Sequence, residues 1–263
     1  VTGSEGSEDQ PDRALSRRAG ERGGDISADL PVDVPAEVPA VEDLVRVVAL
    51  DGPAGTGKTT VARLTAARLG WRFVDTGATY RAVALAVLRA GADPEDATAC
   101  EAAASAARVE LRTDPDDAGV CLDGADVSAE IRTPEVTAVV SAVSSHPAVR
   151  AILIRLQRRA IGTSGAVVEG RDIATVVAPR AAVKVYLDAR PEVRAARRAG
   201  EIAGAPSSVA GTLLARDARD SQTNRLQPSG GAVHLDTSDL SLDQVVETVL
   251  TLVQQAGLSK PAP

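Results

Sequence analysis

Residues 52 to 59 read Gly52-Pro53-Ala54-Gly55-Thr56-Gly57-Lys58-Thr59, a Gly-x-x-x-x-Gly-Lys-Thr run that leaves a chain few folds to choose from. Before it stands the short apolar run Val47-Val48-Ala49-Leu50, suited to a buried parallel strand; after it Val61, Leu64, Thr65 and Leu69 recur at helical spacing. The loop must turn its amide N–H groups inward and let phosphate oxygens come close, which a Cβ would obstruct. Lys58 adds the charge that reaches the β- and γ-phosphates, the Thr59 hydroxyl is placed to ligate Mg²⁺, and the bound anion sits on a helix N-terminus. The run therefore implies a nucleoside triphosphate held by Gly52, Pro53, Ala54, Gly55, Thr56, Gly57, Lys58, Thr59 and Thr60.

The rest of the chain alternates strand and helix. A second strand is expected over 71–74, ending at Asp75-Thr76-Gly77, then helices over 80–90 and 94–107. Residues 109–112 and 119–122 alternate apolar and polar on either side of Asp114-Pro115-Asp116-Asp117 and read as a small hairpin. Helices follow over 134–144 and 147–161, strands over 166–168 and 183–187, Arg-rich helices over 191–198 and 208–220, a strand over 232–236 and a helix over 241–256. This predicts an α/β fold with a parallel β-sheet core flanked by helices and the hairpin in an insertion.

Composition removes several function classes. Aromatics are 2% of the chain and Met is absent, so the core must be built from Ala, Val, Leu and Ile. Lys58, Lys184 and Lys260 are the only lysines, and GC-rich coding accounts for the arginine bias, so an arginine carries meaning only where a motif places it. Cys100 and Cys121 are isolated, and His146 and His234 have no nucleophilic partner motif, so no zinc site, disulfide framework or histidine-centred catalysis is expected. No apolar run of membrane length and no leader occurs, which predicts a cytoplasmic protein with no membrane partner. Residues 1–44 are poor in apolar residues and carry eleven acids against four arginines, the whole formal net charge of −7, and are expected to be a disordered acidic extension. The Val at position 1 is equally the mark of an alternative start codon read literally, making the extension a gene-model artefact. The remainder, 45–263, is near neutral, which disfavours nucleic acid as a partner.

Five blocks together resemble the bacterial cytidylate kinases, a nucleoside monophosphate kinase family. They are Asp51 through Lys58, Asp75-Thr76-Gly77-Ala78-Thr79-Tyr80-Arg81, Asp126-Val127-Ser128-Ala129-Glu130-Ile131-Arg132, Glu169-Gly170-Arg171-Asp172, and Arg216-Asp217-Ala218-Arg219-Asp220-Ser221, spanning about 45–253. The resemblance implies a P-loop kinase fold with a monophosphate-binding insertion over about 76–163 and a short helical lid over about 190–222. It implies transfer of the γ-phosphoryl of ATP to CMP or dCMP with Mg²⁺, by a monomer. By similarity, Thr76, Arg81 and Arg171 hold the acceptor phosphate, Ser141, Arg150 and Asp172 read the base, and Arg216 and Asp220 reach the ribose; Lys58 and Arg171 act on the reacting phosphates.

Those residue types suit the tasks. A guanidinium engages two phosphate oxygens at once. Asp172 can accept from cytosine N4 while Arg150 donates toward N3; uracil would set its O4 acceptor against the carboxylate, a mismatch worth on the order of 10⁴-fold in rate. Plainer readings stand beside these. Arg171 and Asp172 also fit a strand-end ion pair, Arg216 and Asp220 an i,i+4 pair on an exposed helix, and Arg194, Arg197 and Arg198 a solvated basic face as well as a lid over the triphosphate. A nucleotide-dependent switch lacks its guanine-reading Asn-Lys-x-Asp element here, a binding-only scaffold leaves the acceptor arginines without a purpose, and a kinase of UMP or shikimate is the nearest other enzyme. The chain departs from the family in having Ala174 and Ala178 where Gly and Phe are common, and Thr223 where an arginine is usual, with Arg225 two residues later.

Overall fold

A computed structural model of the chain describes residues 37–202, 211 and 230–258. A five-stranded parallel sheet forms its centre, in the order β2 (Arg72–Asp75), β6 (Ala166–Gly170), β1 (Val47–Asp51), β7 (Val183–Asp188), β8 (Val233–Asp236). β1 and β6 are buried at every position because helices cover both faces. Alternation divides the cores: Val48, Leu50 and Val167 face α1 (Lys58–Leu69) and α7 (Leu242–Gln255), while Val47, Ala49 and Val168 face the other layer. Leu44, the last residue of the segment read as an extension, is fully buried in that second core.

The second layer is the insertion. It runs α2 (Thr76–Arg89), α3 (Ala97–Ala106), an antiparallel sheet of β3 (Val109–Arg112), β4 (Gly119–Leu122) and β5 (Ala125–Asp126), then α4 (Pro134–Ser145) and α5 (Pro147–Ile161). β5 was not foreseen, although Asp123 and Gly124, with φ of 53° and 83°, are the pair a two-residue hairpin turn prefers. α2 starts at Thr76 rather than at 80, because the Asp75 carboxylate accepts from Ala78 N–H and makes Thr76-Gly77 the first turn instead of a loop. Asp96 caps α3 likewise, so that helix begins at Ala97 rather than 94. α6 (Pro191–Ile202) outruns its expected end at 198. The expected helix over 208–220, apart from residue 211, and with it most of the lid, lies outside the described residues. Among those described, no single helix is long and apolar enough to cross a membrane.

Strand register positions the site. Asp51 lies opposite Gly170, and Asp75 opposite Glu169, so β1, β6 and β2 end at one level. The phosphate-binding loop, the Gly170-Arg171-Asp172 corner and the start of α2 therefore leave the sheet side by side, at the carboxyl edge where open α/β sheets bind ligands.

Candidate active site

The loop from Gly52 to Gly57 is held by its own chain before any ligand enters. Lys58 Nζ donates to Pro53 O at 2.7 Å and Thr56 Oγ1 to the same carbonyl at 3.1 Å. A Cβ on Gly52 would lie 2.0 Å from Leu187 O, so the approach of β7 alone requires this glycine. Gly57 meets no neighbour, and its φ of 89° as N-cap of α1 is its reason. The Thr59 hydroxyl donates to Glu169 Oε1 at 2.6 Å.

From the end of this loop a cavity of about 400 Å³ runs to the insertion. Lys58, Thr59 and Thr60 line one end; Thr76, Arg81, Ser141, Arg150, Arg171 and Asp172 line the rest, so every described acceptor residue expected from sequence meets in one space. Thr76 Oγ1 donates to Glu169 O at 2.7 Å, and Arg171 Nη1 to Gly52 O at 3.1 Å. Arg81 is buried, with Nη1 donating to Ile131 O and Thr137 Oγ1, both at 2.9 Å. Asp172 pairs with Arg150, not with its neighbour Arg171, which removes the strand-end reading of that pair. The Arg150 guanidinium also lies 5.8 Å from the centre of the Tyr80 ring, and burial pushes the Tyr80 hydroxyl up to about pKa 12, keeping it a donor. Arg216, Asp220 and Arg225 lie outside the described residues.

Two buried carboxylates set the electrostatics. Burial, then the Asp75 charge, pushes Glu169 up to about 7, against the pull of Lys58, Thr59 and Arg171. Burial also raises Asp51 to about 6, against N–H donors from Ala174 and Ile173 at 2.9 and 2.8 Å.

The sequence model of cytidylate kinase matches residues 48–255, from within β1 to the end of α7. The chain belongs to the cytidylate kinase family. Cytidylate kinase of Streptomyces avermitilis is 48% identical over 220 residues, 81% of this chain and 95% of the relative. That of Mycobacterium avium is 50% identical over 218 residues, 80% and 95% of the two chains. The crystal structure of TT1252 from Thermus thermophilus aligns at a TM-score of 0.42 and 19% identity over 80% of this chain and 97% of that one.

In this member of the cytidylate kinase family the α6 arginines are no solvated face. Arg194 is buried and donates to Ala54 O at 3.2 Å; Arg197 donates to Thr56 O at 3.3 Å and to Thr237 O at 2.7 Å; Arg198 lines the cavity. Sequence reasoning assigned no role to Glu169, Asp51 or Arg132, which lies 3.5 Å from Asp75 at the cavity wall. An acid directly before Gly-Arg-Asp at the end of a buried strand was the available signal for Glu169. His146 is the buried one-residue link between α4 and α5, its Nε2 2.8 Å from Pro94 O. Among the described residues no group of three His, Cys, Asp or Glu side chains is placed to hold a metal ion.

Proposed function

We infer that the chain is a cytidylate kinase that transfers the γ-phosphoryl group of ATP to CMP or dCMP, yielding ADP with CDP or dCDP. The observation that carries this reading is the pairing of Arg150 with the buried Asp172 in the same cavity as Lys58. Asp172 accepts from cytosine N4, Arg150 donates toward N3, and Ser141 on α4 completes the base pocket. Arg81, Arg171 and Thr76 hold the acceptor phosphate; Arg216 and Asp220 hold the ribose. Gly52 through Thr60 hold ATP.

The acceptor oxygen is already ionised, so no general base is needed, and alignment with charge neutralisation carries the reaction. Lys58 supplies fixed charge at the donor phosphates and Arg171 at the acceptor, both anchored to loop carbonyls. Thr59 and Glu169 are the oxygen donors that would hold Mg²⁺, few enough to leave positions for phosphates. Bound there, Mg²⁺ neutralises charge on the transferring group. Small nucleotides are the partners, and the enzyme works as a cytoplasmic monomer.

A coupled assay across CMP, dCMP, UMP, AMP and shikimate tests the substrate class. For the base pocket, Asp172→Asn gives that position a donor, so uracil O4 no longer meets only a carboxylate. The CMP-to-UMP ratio of kcat/KM should narrow at least about tenfold, ~1.4 kcal/mol. A folded variant with the native ratio would return Asp172 to a structural role; folding is checked in parallel, because removing one member of a buried pair strands the other.

A further inference from the structure

After Asp172 the chain makes one wide turn, Ile173–Val177, in which Val176 and Val177 N–H both reach the Asp172 carbonyl, at 2.8 and 3.3 Å. Its two ends are held from elsewhere. At the start, the Asp51 carboxylate accepts from Ile173 and Ala174 N–H. At the finish, Arg158 donates through Nε to Val177 O at 3.0 Å and through Nη2 to Val176 O at 2.8 Å. An anion on the amide end and a cation on the carbonyl end both complement the dipole of the turn, through charge-assisted bonds. Arg158 is not among the residues lining the cavity. It belongs to α5, the helix that also carries Arg150 to Asp172, so one helix grips the turn at its entrance and its exit.

We propose that Arg158 is a positioning residue for base selection, fixing the exit of the 173–177 turn and thereby the place of the Asp172 carboxylate. This rests on the reading of Asp172 as the group that meets the pyrimidine C4 substituent. Rejection of uracil depends on a carboxylate that cannot retreat from O4, because discrimination by repulsion is lost once the repelling group can move. Binding of cytosine tolerates movement better, since an attractive contact draws the carboxylate back. Loosening the exit of the turn therefore erodes the choice between bases more than turnover with CMP. Val176 and Val177, whose carbonyls Arg158 holds, do not line the cavity, and the phosphate-binding loop is anchored separately through Lys58 and Arg171.

The test measures kcat/KM for CMP and UMP in Arg158→Met, Arg158→Lys, Asp172→Asn and the Arg158→Met/Asp172→Asn double variant. Arg158→Met should narrow the CMP-to-UMP ratio at least about fivefold, raising KM for CMP while KM for ATP stays within about twofold. Arg158→Lys, with one charged head for two carbonyls, should fall between it and the native enzyme, and it carries the test if Arg158→Met does not fold. On the Asp172→Asn background the same change should move the ratio less than about twofold, because both act through one carboxylate. A native ratio in folded Arg158 variants, beside an Asp172→Asn enzyme whose ratio has narrowed, overturns the positioning role alone. A native ratio in Asp172→Asn overturns the base-reading role and the proposal with it. Equal narrowing by Arg158→Met on both backgrounds also overturns it, since Arg158 would then act by another route.

Discussion

Glu169 lines the cavity at a cost to the fold. Burial first, and the Asp75 charge second, raise its pKa from 4.5 to about 7, so between those values the folded protein holds a proton that the unfolded chain has released. The stability from this group is fully present below about pH 4.5 and is lost as pH rises through about 7. Gln keeps an acceptor for the Thr59 hydroxyl and carries no charge. In buffer free of nucleotide and metal, Glu169→Gln should therefore melt several degrees above the native protein near pH 8, the gap reaching roughly 3 kcal/mol at most and closing toward pH 5. A gap that is flat with pH would show that Glu169 is not the titrating group. Turnover of the variant should fall, since the position loses the charge that would face Mg²⁺.

At the scale of elements, α7 offers a test that leaves the chemistry alone. Ser241 Oγ accepts from Gln244 N–H at 3.2 Å and the Gln244 side chain accepts from Ser241 N–H at 2.8 Å, a reciprocal cap on a helix packed against α1. Ser241→Ala should cost about 1 kcal/mol, seen as a drop of about 2–4 °C in Tm, with kcat/KM for CMP unchanged. Sequence announced this helix well, since Val245, Val246, Val249 and Val253 recur on one side and a Ser-x-x-Gln precedes them. β1, α1 and the main hairpin were legible for the same reason: their bonds are local or their burial is total. The start of α2 was not, because Gly77 reads as a break until the Asp75 carboxylate is seen to cap Ala78. The 173–177 turn was least legible of all. Its partners, Asp51 and Arg158, are remote in sequence, and no propensity of Ile-Ala-Thr-Val-Val predicts a turn that others hold. Thr76, Arg81, Arg171 and Asp172 stand in blocks of sequence, whereas the raised pKa of Glu169 depends on burial and on the register that sets Asp75 beside it.

For the molecule as a whole, the family match begins at Val48 and the buried core at Leu44, and residues 1–40 contain few apolar side chains to bury. A chain starting at Val41 should keep its Tm within about 2 °C and its turnover within about twofold, measured by calorimetry and a coupled assay. A larger loss in either would assign the first forty residues a part in the fold or the chemistry. The shared level at which β1 and β6 end has a further result. Misplacing reacting groups by about 1 Å can lower a rate about 10²-fold, yet a folded chain at room temperature moves by comparable amounts. Because the phosphate-binding loop and the Arg171 corner hang from adjacent strands paired residue by residue, with Asp51 beside Gly170, a tremor of the sheet carries the loop and that corner in the same direction. Such motion is common to the two and cancels in their separation, so what can spoil the alignment is movement of the helices around the sheet.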